Sequence, residues 1–214
     1  GCAIGQKVDF RESIPQFDAP ANSIVYVQVV DDRPYVLDHS KDANYVGNNR
    51  ALFYNPYQLR TESGESLAKD LQLAIVDGLR ESGINAESAG DVNLYDSNQV
   101  QRNLLITLKD WRADRYSFRP VRFDYNLLAT VTAPNGAELA TGQVKGQEAI
   151  EHPVNAGATV LKELLTQPSV LAALRGESVS QDQAAKDFDD CMSRAIRVND
   201  SQLRQAAIKA CDAQ

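Results

Sequence analysis

The side chains in this 214-residue chain that could do chemistry are two histidines, three cysteines and 29 acidic residues. His39 lies in Leu37-Asp38-His39-Ser40-Lys41-Asp42, and His152 precedes Pro153. Neither has a second ligand at a spacing that one helix face or one turn would bring to a metal, so both read as solvated loop imidazoles. The chain has no Gly-x-Ser-x-Gly elbow, phosphate loop, His-Glu-x-x-His or Cys-x-x-Cys. Serine-hydrolase, nucleotide, zinc-protease and thiol-redox chemistry therefore lack their usual scaffolding, and no metal or cofactor is expected. Gly142 and Gly146 fall inside a strand pattern, where close packing explains them. The many carboxylates leave open an enzyme of cell-wall or carbohydrate type, which needs two of them about 5–10 Å apart.

Two segments combine charge or hydroxyl groups with aromatic rings. Lys109–Arg122 holds Lys109, Arg112, Arg115, Arg119 and Arg122 interleaved with Asp110, Asp114, Trp111, Tyr116 and Phe118. It reads either as an arginine-aromatic contact surface or as a strand end laced with ion pairs. Residues 34–61 carry Tyr35, Tyr45, Tyr54 and Tyr57 without helical or strand spacing. Tyr45, Tyr54 and Tyr57 are the candidate partner-binding anchors, with Asp31 and Arg33 holding the base of this long loop by a hydrogen bond or ion pair. The alternative is that these rings fold back on the sheet edge as a satellite core.

The elements that must position these groups follow from periodicity. Ser23–Val30 is β-branched and aromatic throughout and predicts a strand. Leu67, Leu71, Ile75 and Leu79 recur every four residues, predicting an amphipathic helix from Glu65 to Ser82 stopped by Gly83. A short strand is expected at Ile84–Glu87. Asn103–Trp111, Phe118–Thr132 and Glu138–Glu148 read as successive strands, the last two joined through Asn135-Gly136. Val154, Ala158, Leu161 and Leu165 predict a further helix, broken near Pro168 and followed by a helical turn ending at Gly176. The expected fold is α+β, a mostly antiparallel sheet covered by amphipathic helices, with a C-terminal disulfide-linked helical hairpin. Its parts are an N-terminal tether over 1–21, an α+β domain over 22–176 and the hairpin over 177–214.

The formal net charge of −7 argues against nucleic acid as a partner. No apolar run approaches the roughly 18–20 residues that span a bilayer. Cys191 and Cys211 stand equidistant from position 201, on helix-like stretches either side of Val198-Asn199-Asp200-Ser201. They are either bridged across an antiparallel hairpin, which implies an oxidising compartment, or two buried thiols. Cys2 is left over. Gly1-Cys2 resembles the end of a bacterial lipobox, whose cysteine is acylated after signal-peptide cleavage, and Ala3 after it implies sorting to the outer membrane.

The chain from about 2 to 165 resembles the YajG-like bacterial lipoproteins. The features that carry the resemblance are Gly1-Cys2, the strand Ile24–Val30 running into Asp31-x-Arg33, Tyr45-Val46-Gly47, the helix Leu67–Leu79 with Gly83-Ile84-Asn85, and Asn103-Leu-Leu-Ile-Thr-Leu. The 34–61 loop and the 177–214 segment depart from that pattern. The resemblance implies a small α+β domain facing the periplasm and supplies no catalytic residues. The expected function is a non-enzymatic outer-membrane lipoprotein, an envelope accessory or assembly factor that is membrane-bound through lipid at Cys2 and binds protein or another envelope component.

Overall fold

A computed structural model of the chain describes residues 7–50, 56–89, 99–116 and 119–177. The chain divides into two compact units, Gly1–Gly176 and Glu177–Gln214. Positions 178–214, with the expected hairpin, Cys191 and Cys211, lie outside the described residues, as do Cys2 and Tyr54.

The strands are β1 (Lys7–Val8), β2 (Ser23–Asp31), β3 (Tyr45–Arg50), β4 (Pro56–Thr61), β5 (Asn85–Ser88), β6 (Val100–Tyr116), β7 (Val121–Thr132) and β8 (Glu138–Ile150), all in one sheet. The helices are α1 (Pro34–Leu37), α2 (Leu67–Glu81), α3 (Pro153–Leu165) and α4 (Pro168–Leu174). The fold is α+β, but the sheet is mixed rather than mostly antiparallel. Among the described residues four strand pairings are parallel and three antiparallel. Alternation in a sequence sets which side chains face the core but leaves strand direction open. Here α2 follows β4 and carries the chain across to start β5 beside β2 and in the same direction, as a crossover connection does.

β6 is the spine. One of its edges takes β7 and then β8, antiparallel, with Ala133–Gly136 turning between them and Gly136 at φ +85°. Its other edge takes β2 along the first half, from Ser23 opposite Val100 to Asp31 opposite Leu108. β3 takes the same lane near the far end, where Asn49 lies opposite Arg115.

The α2 stripe Leu67, Leu71, Ile75 and Leu79 is fully buried. Ser66 caps the helix, its hydroxyl accepting from the Lys69 N–H at 3.2 Å. This helix packs on β2 and β5, while α3 and α4 pack on β7 and β8.

Between α2 and α3 runs the stretch expected to be a tether. From residue 9 onward it is a strap built into the helix layer. Phe10, in a 3-10 turn over Phe10–Glu12, is fully buried with its ring edge-on to Trp111 at 5.3 Å. The Ser13 hydroxyl donates to the Val154 carbonyl at 2.8 Å, and the Ala19 and Ala21 N–H groups donate to the carbonyls of Ser82 and Gly83. Two helix glycines make room for it. A Cβ at Gly78 would lie 2.5 Å from the Pro15 ring, and one at Gly157 would lie 2.7 Å from the Ser13 hydroxyl. Pro15 and Pro20 suit a segment that bonds to its neighbours without regular structure of its own.

Candidate functional site

Because β2 and β3 share one edge of β6, the chain must leave that edge after Asp31 and return to it at Tyr45. β6 itself shifts register between Leu108 and Asp110, where one neighbour hands over to the other. The excursion contains the single turn of α1, started by Pro34, and a tight bend at His39, whose φ of +61° is the left-handed region. His39 and His152 are both exposed. The segment expected to be a long loop is thus this excursion plus the antiparallel pair β3–β4.

Arg33 fastens the excursion from inside. Its side chain is fully buried, and its guanidinium donates from Nε and Nη2 to the two Asp31 carboxylate oxygens at 2.8 and 2.7 Å. Nη1 donates to the Tyr45 carbonyl at 2.6 Å and Nη2 to the Ala43 carbonyl at 3.0 Å. Burial works against this charge, but the hydrogen bonds and charge of Asp31, with Tyr35 adding, outweigh it and raise the guanidinium above its ordinary value. A planar fork satisfies a carboxylate and two carbonyls at once.

Tyr45 is not an exposed anchor. Its residue is 2% exposed, its ring meets Tyr35 edge-on at 5.6 Å, and the Lys41 ammonium stands 4.9 Å from its centroid. The Asn48 amide donates to its hydroxyl at 2.7 Å. Burial, then Asp114, push its phenol up to about 12, against Arg112. Tyr35 donates to Asp110 at 3.0 Å, and burial, with Arg33 opposing and Asp110 adding, raises its phenol well above the usual range. Both rings stay protonated at neutral pH and act as hydrogen-bonding wedges rather than as nucleophiles. Tyr57 is different: it is 43% exposed, on β4 opposite Asn49.

The Lys109–Arg122 segment is the end of β6 and the start of β7, and strand alternation splits it. Trp111 and Ala113 point into the core, where Trp111 is fully buried and edge-on to Phe123 at 5.0 Å. Asp110, Arg112 and Asp114 take the opposite face. Across the strands, Asp124 is buried and accepts from Arg122 Nε at 3.0 Å, Arg112 Nη2 at 3.3 Å and Gln147 Nε2 at 2.6 Å. Asp114 accepts from the Asn48 backbone N–H at 2.9 Å. Burial disfavours the Arg112 charge, but Asp110, Asp114 and Asp124 together outweigh it and raise its guanidinium. Tyr35, Asn48, Asp124 and Gln147 were not legible as site residues. The available signal was the two-residue rhythm of charge at 110, 112 and 114 against 122 and 124.

One carboxyl elsewhere is held above its ordinary range. Asp70, 2% exposed in the first turn of α2, is raised by burial, while the Ser63 hydroxyl donating at 2.8 Å pulls the other way. It does not line the open groove of about 430 Å³ in the helix layer, where Glu12 and Glu81 stand near Lys162, nor the smaller cavity of about 150 Å³ beside Lys7.

No family model matches the chain, and no curated protein matches it. Among solved structures it is similar to protein XCC0632 from Xanthomonas campestris, described under the family model DUF330. That match has 12% identity over 86% of this chain and 96% of the other, with a TM-score of 0.41. It is also similar to an uncharacterized protein, at 13% identity over 70% and 92% with a TM-score of 0.41. A PelC dodecamer from Paraburkholderia phytofirmans matches at 14% identity over 73% and 92%, with a TM-score of 0.38. At these scores none of the three bears on what this chain does.

Proposed function

We propose that the chain is a non-enzymatic lipoprotein of the bacterial envelope, related to the YajG-like group. In this reading it is acylated at Cys2, held at the outer membrane facing the periplasm, and binds protein or another envelope component. The observation that carries the binding part is that the charged groups of the candidate site are fastened to one another. Asp31 is held by Arg33, Asp110 by Tyr35, Asp114 by Asn48, and Asp124 by two arginines and Gln147. Such pairing stiffens a surface and leaves little freedom for proton transfer. Of the expected anchors among the described residues, Tyr57 is exposed and Tyr45 is not, and Asp31, Arg33 and Tyr45 support the segment that presents Tyr57.

In the same reading, residues 177–214 form a helical hairpin bridged by Cys191 and Cys211, a loop worth about 3 kcal/mol in the chain-entropy model. Two measurements test the proposal. Precursor processed in a bacterial host should carry acyl mass on Cys2 and fractionate with membranes, while a Cys2→Ser variant that is still exported should not; equal membrane recovery would refute the anchor. Non-reduced protein should show a Cys191–Cys211 peptide pair by mass spectrometry, and two free thiols would refute the bridge.

A further inference from the structure

Cys2 and Lys7 are five residues apart, and five residues of fully extended chain reach at most about 18 Å. Lys7 is the first residue of β1, paired in parallel with β4. With Val8, Leu59, Arg115, Val121 and Pro153 it lines the cavity of about 150 Å³. That cavity lies at the end of the sheet where β6 finishes, β7 begins and α3 starts. Lys7, Arg115 and Arg119 are exposed there, Arg119 in the turn after β6 with its N–H donating to the Tyr116 carbonyl. Arg50 stands opposite Tyr116, its guanidinium 5.8 Å from the ring centroid. Tyr57 is half-exposed one register position away, opposite Asn49. The acidic side chains near this end include Glu151, in the turn before α3, Glu148, which accepts from the Tyr125 hydroxyl at 2.7 Å, Asp114 beside Arg115, and Asp9 and Glu62 next to Val8. In a chain of net charge −7, four cations and an amphipathic ring have gathered at one end.

We propose that this end, through Lys7, Arg50, Arg115, Arg119 and Tyr57, seats on an anionic phospholipid bilayer. The inference rests in part on acylation of Cys2. A domain that is folded from Lys7 onward cannot stand off on a leash, so lipid at Cys2 brings this end to within about 18 Å of the bilayer, roughly two Debye lengths at physiological salt. That reach is an upper limit, and basic side chains that come within one Debye length of the surface, about 8 Å, are drawn to anionic headgroups, while tyrosine rings favour the headgroup level.

The test uses the full chain with Cys2→Ser, which cannot be acylated, floated with vesicles of phosphatidylcholine alone or of phosphatidylcholine with phosphatidylglycerol. Retention is expected on the phosphatidylglycerol vesicles, with loss in high salt. Each cation near an anionic surface contributes about fivefold in binding. The triple variant Lys7→Gln, Arg115→Gln, Arg119→Gln should therefore bind about 100-fold more weakly with an unchanged melting temperature. The control triple Lys69→Gln, Arg80→Gln, Lys162→Gln, on the helix layer, should bind like the parent. Equal retention on both vesicle types, or equal loss in both triple variants, would overturn the seat. Acyl mass on Cys2 is read separately: an acylated chain with no phosphatidylglycerol dependence overturns the seat alone, and a chain without acyl mass whose first triple variant loses binding supports the seat while removing the anchor.

Discussion

Residues 9–21 and residues 32–44 both cross the body of the domain with no more than one helical turn of their own, yet they are fastened by different physics. The first is held by apolar fit: Phe10 against Trp111, Pro15 against the bare backbone of Gly78, and Ser13 in the notch left by Gly157. The second is held by a charge. Arg33 sits fully buried among Asp31 and two backbone carbonyls, with the aromatic pair Tyr35–Tyr45 beside it. A packed ring can be trimmed and partly replaced by relaxation around it. A buried guanidinium cannot be removed without stranding its carboxylate, so the second segment should be the more brittle of the two.

The sharpest break of that contrast is Arg33→Ala, expected to cost about 3 kcal/mol or more in urea unfolding because a largely covered Asp31 and the buried Tyr45 carbonyl lose their partner. Arg33→Lys should recover little of this, since a point charge cannot serve the carboxylate and both carbonyls at once. Full rescue by lysine would mean that charge alone matters. In the apolar segment, Phe10→Ala should cost about 3–4 kcal/mol in the same assay. A change below about 0.5 kcal/mol would return the segment to the status of a tether.

Gly47→Ala should lower stability by about 2–3 kcal/mol, because a residue at φ +144° is strained and the new Cβ would meet the Ala113 backbone carbonyl. A smaller effect separates charge from packing at Asp70. Its raised pKa means the unfolded chain releases that proton at lower pH than the folded one, so this group contributes stability that is present at low pH and lost as pH rises through its folded value. The stability difference between wild type and Asp70→Asn, followed from neutral pH downward, should move in favour of the wild type as pH falls, and a flat difference would contradict the burial argument. Tyr57→Ala should leave stability within about 0.5 kcal/mol, as an exposed site does.

The parts legible in the sequence were those with a period. The four-residue stripe Leu67–Leu79 and the stop at Gly83 place α2 within two residues, and the strand patterns place β2, β7 and β8. The charged end of β6 was visible as charge but not as two faces, because the register shift at Leu108–Asp110 has no marker in the residues themselves. The strap was hidden because Phe10, Pro15 and Ala19 follow no period. The Asp31–Arg33 pair was legible as the base of a loop, but not the full burial of Arg33 or the Ala43 and Tyr45 carbonyls aimed at it. A clue to the strap did exist: glycine inside a helix costs about 1 kcal/mol against alanine, so Gly78 and Gly157 asked for something that needed the room.

The strap also bears on how the domain comes together in time. Ser13 closes onto Val154, 141 residues later in the chain. By loop-closure entropy alone, joining ends that far apart costs about 4 kcal/mol before any contact compensates it. Residues 9–21 therefore settle late, only once α3 exists to hold them. Contacts of this span slow folding, so the strap ties completion of the helix layer to the slowest closure in the domain.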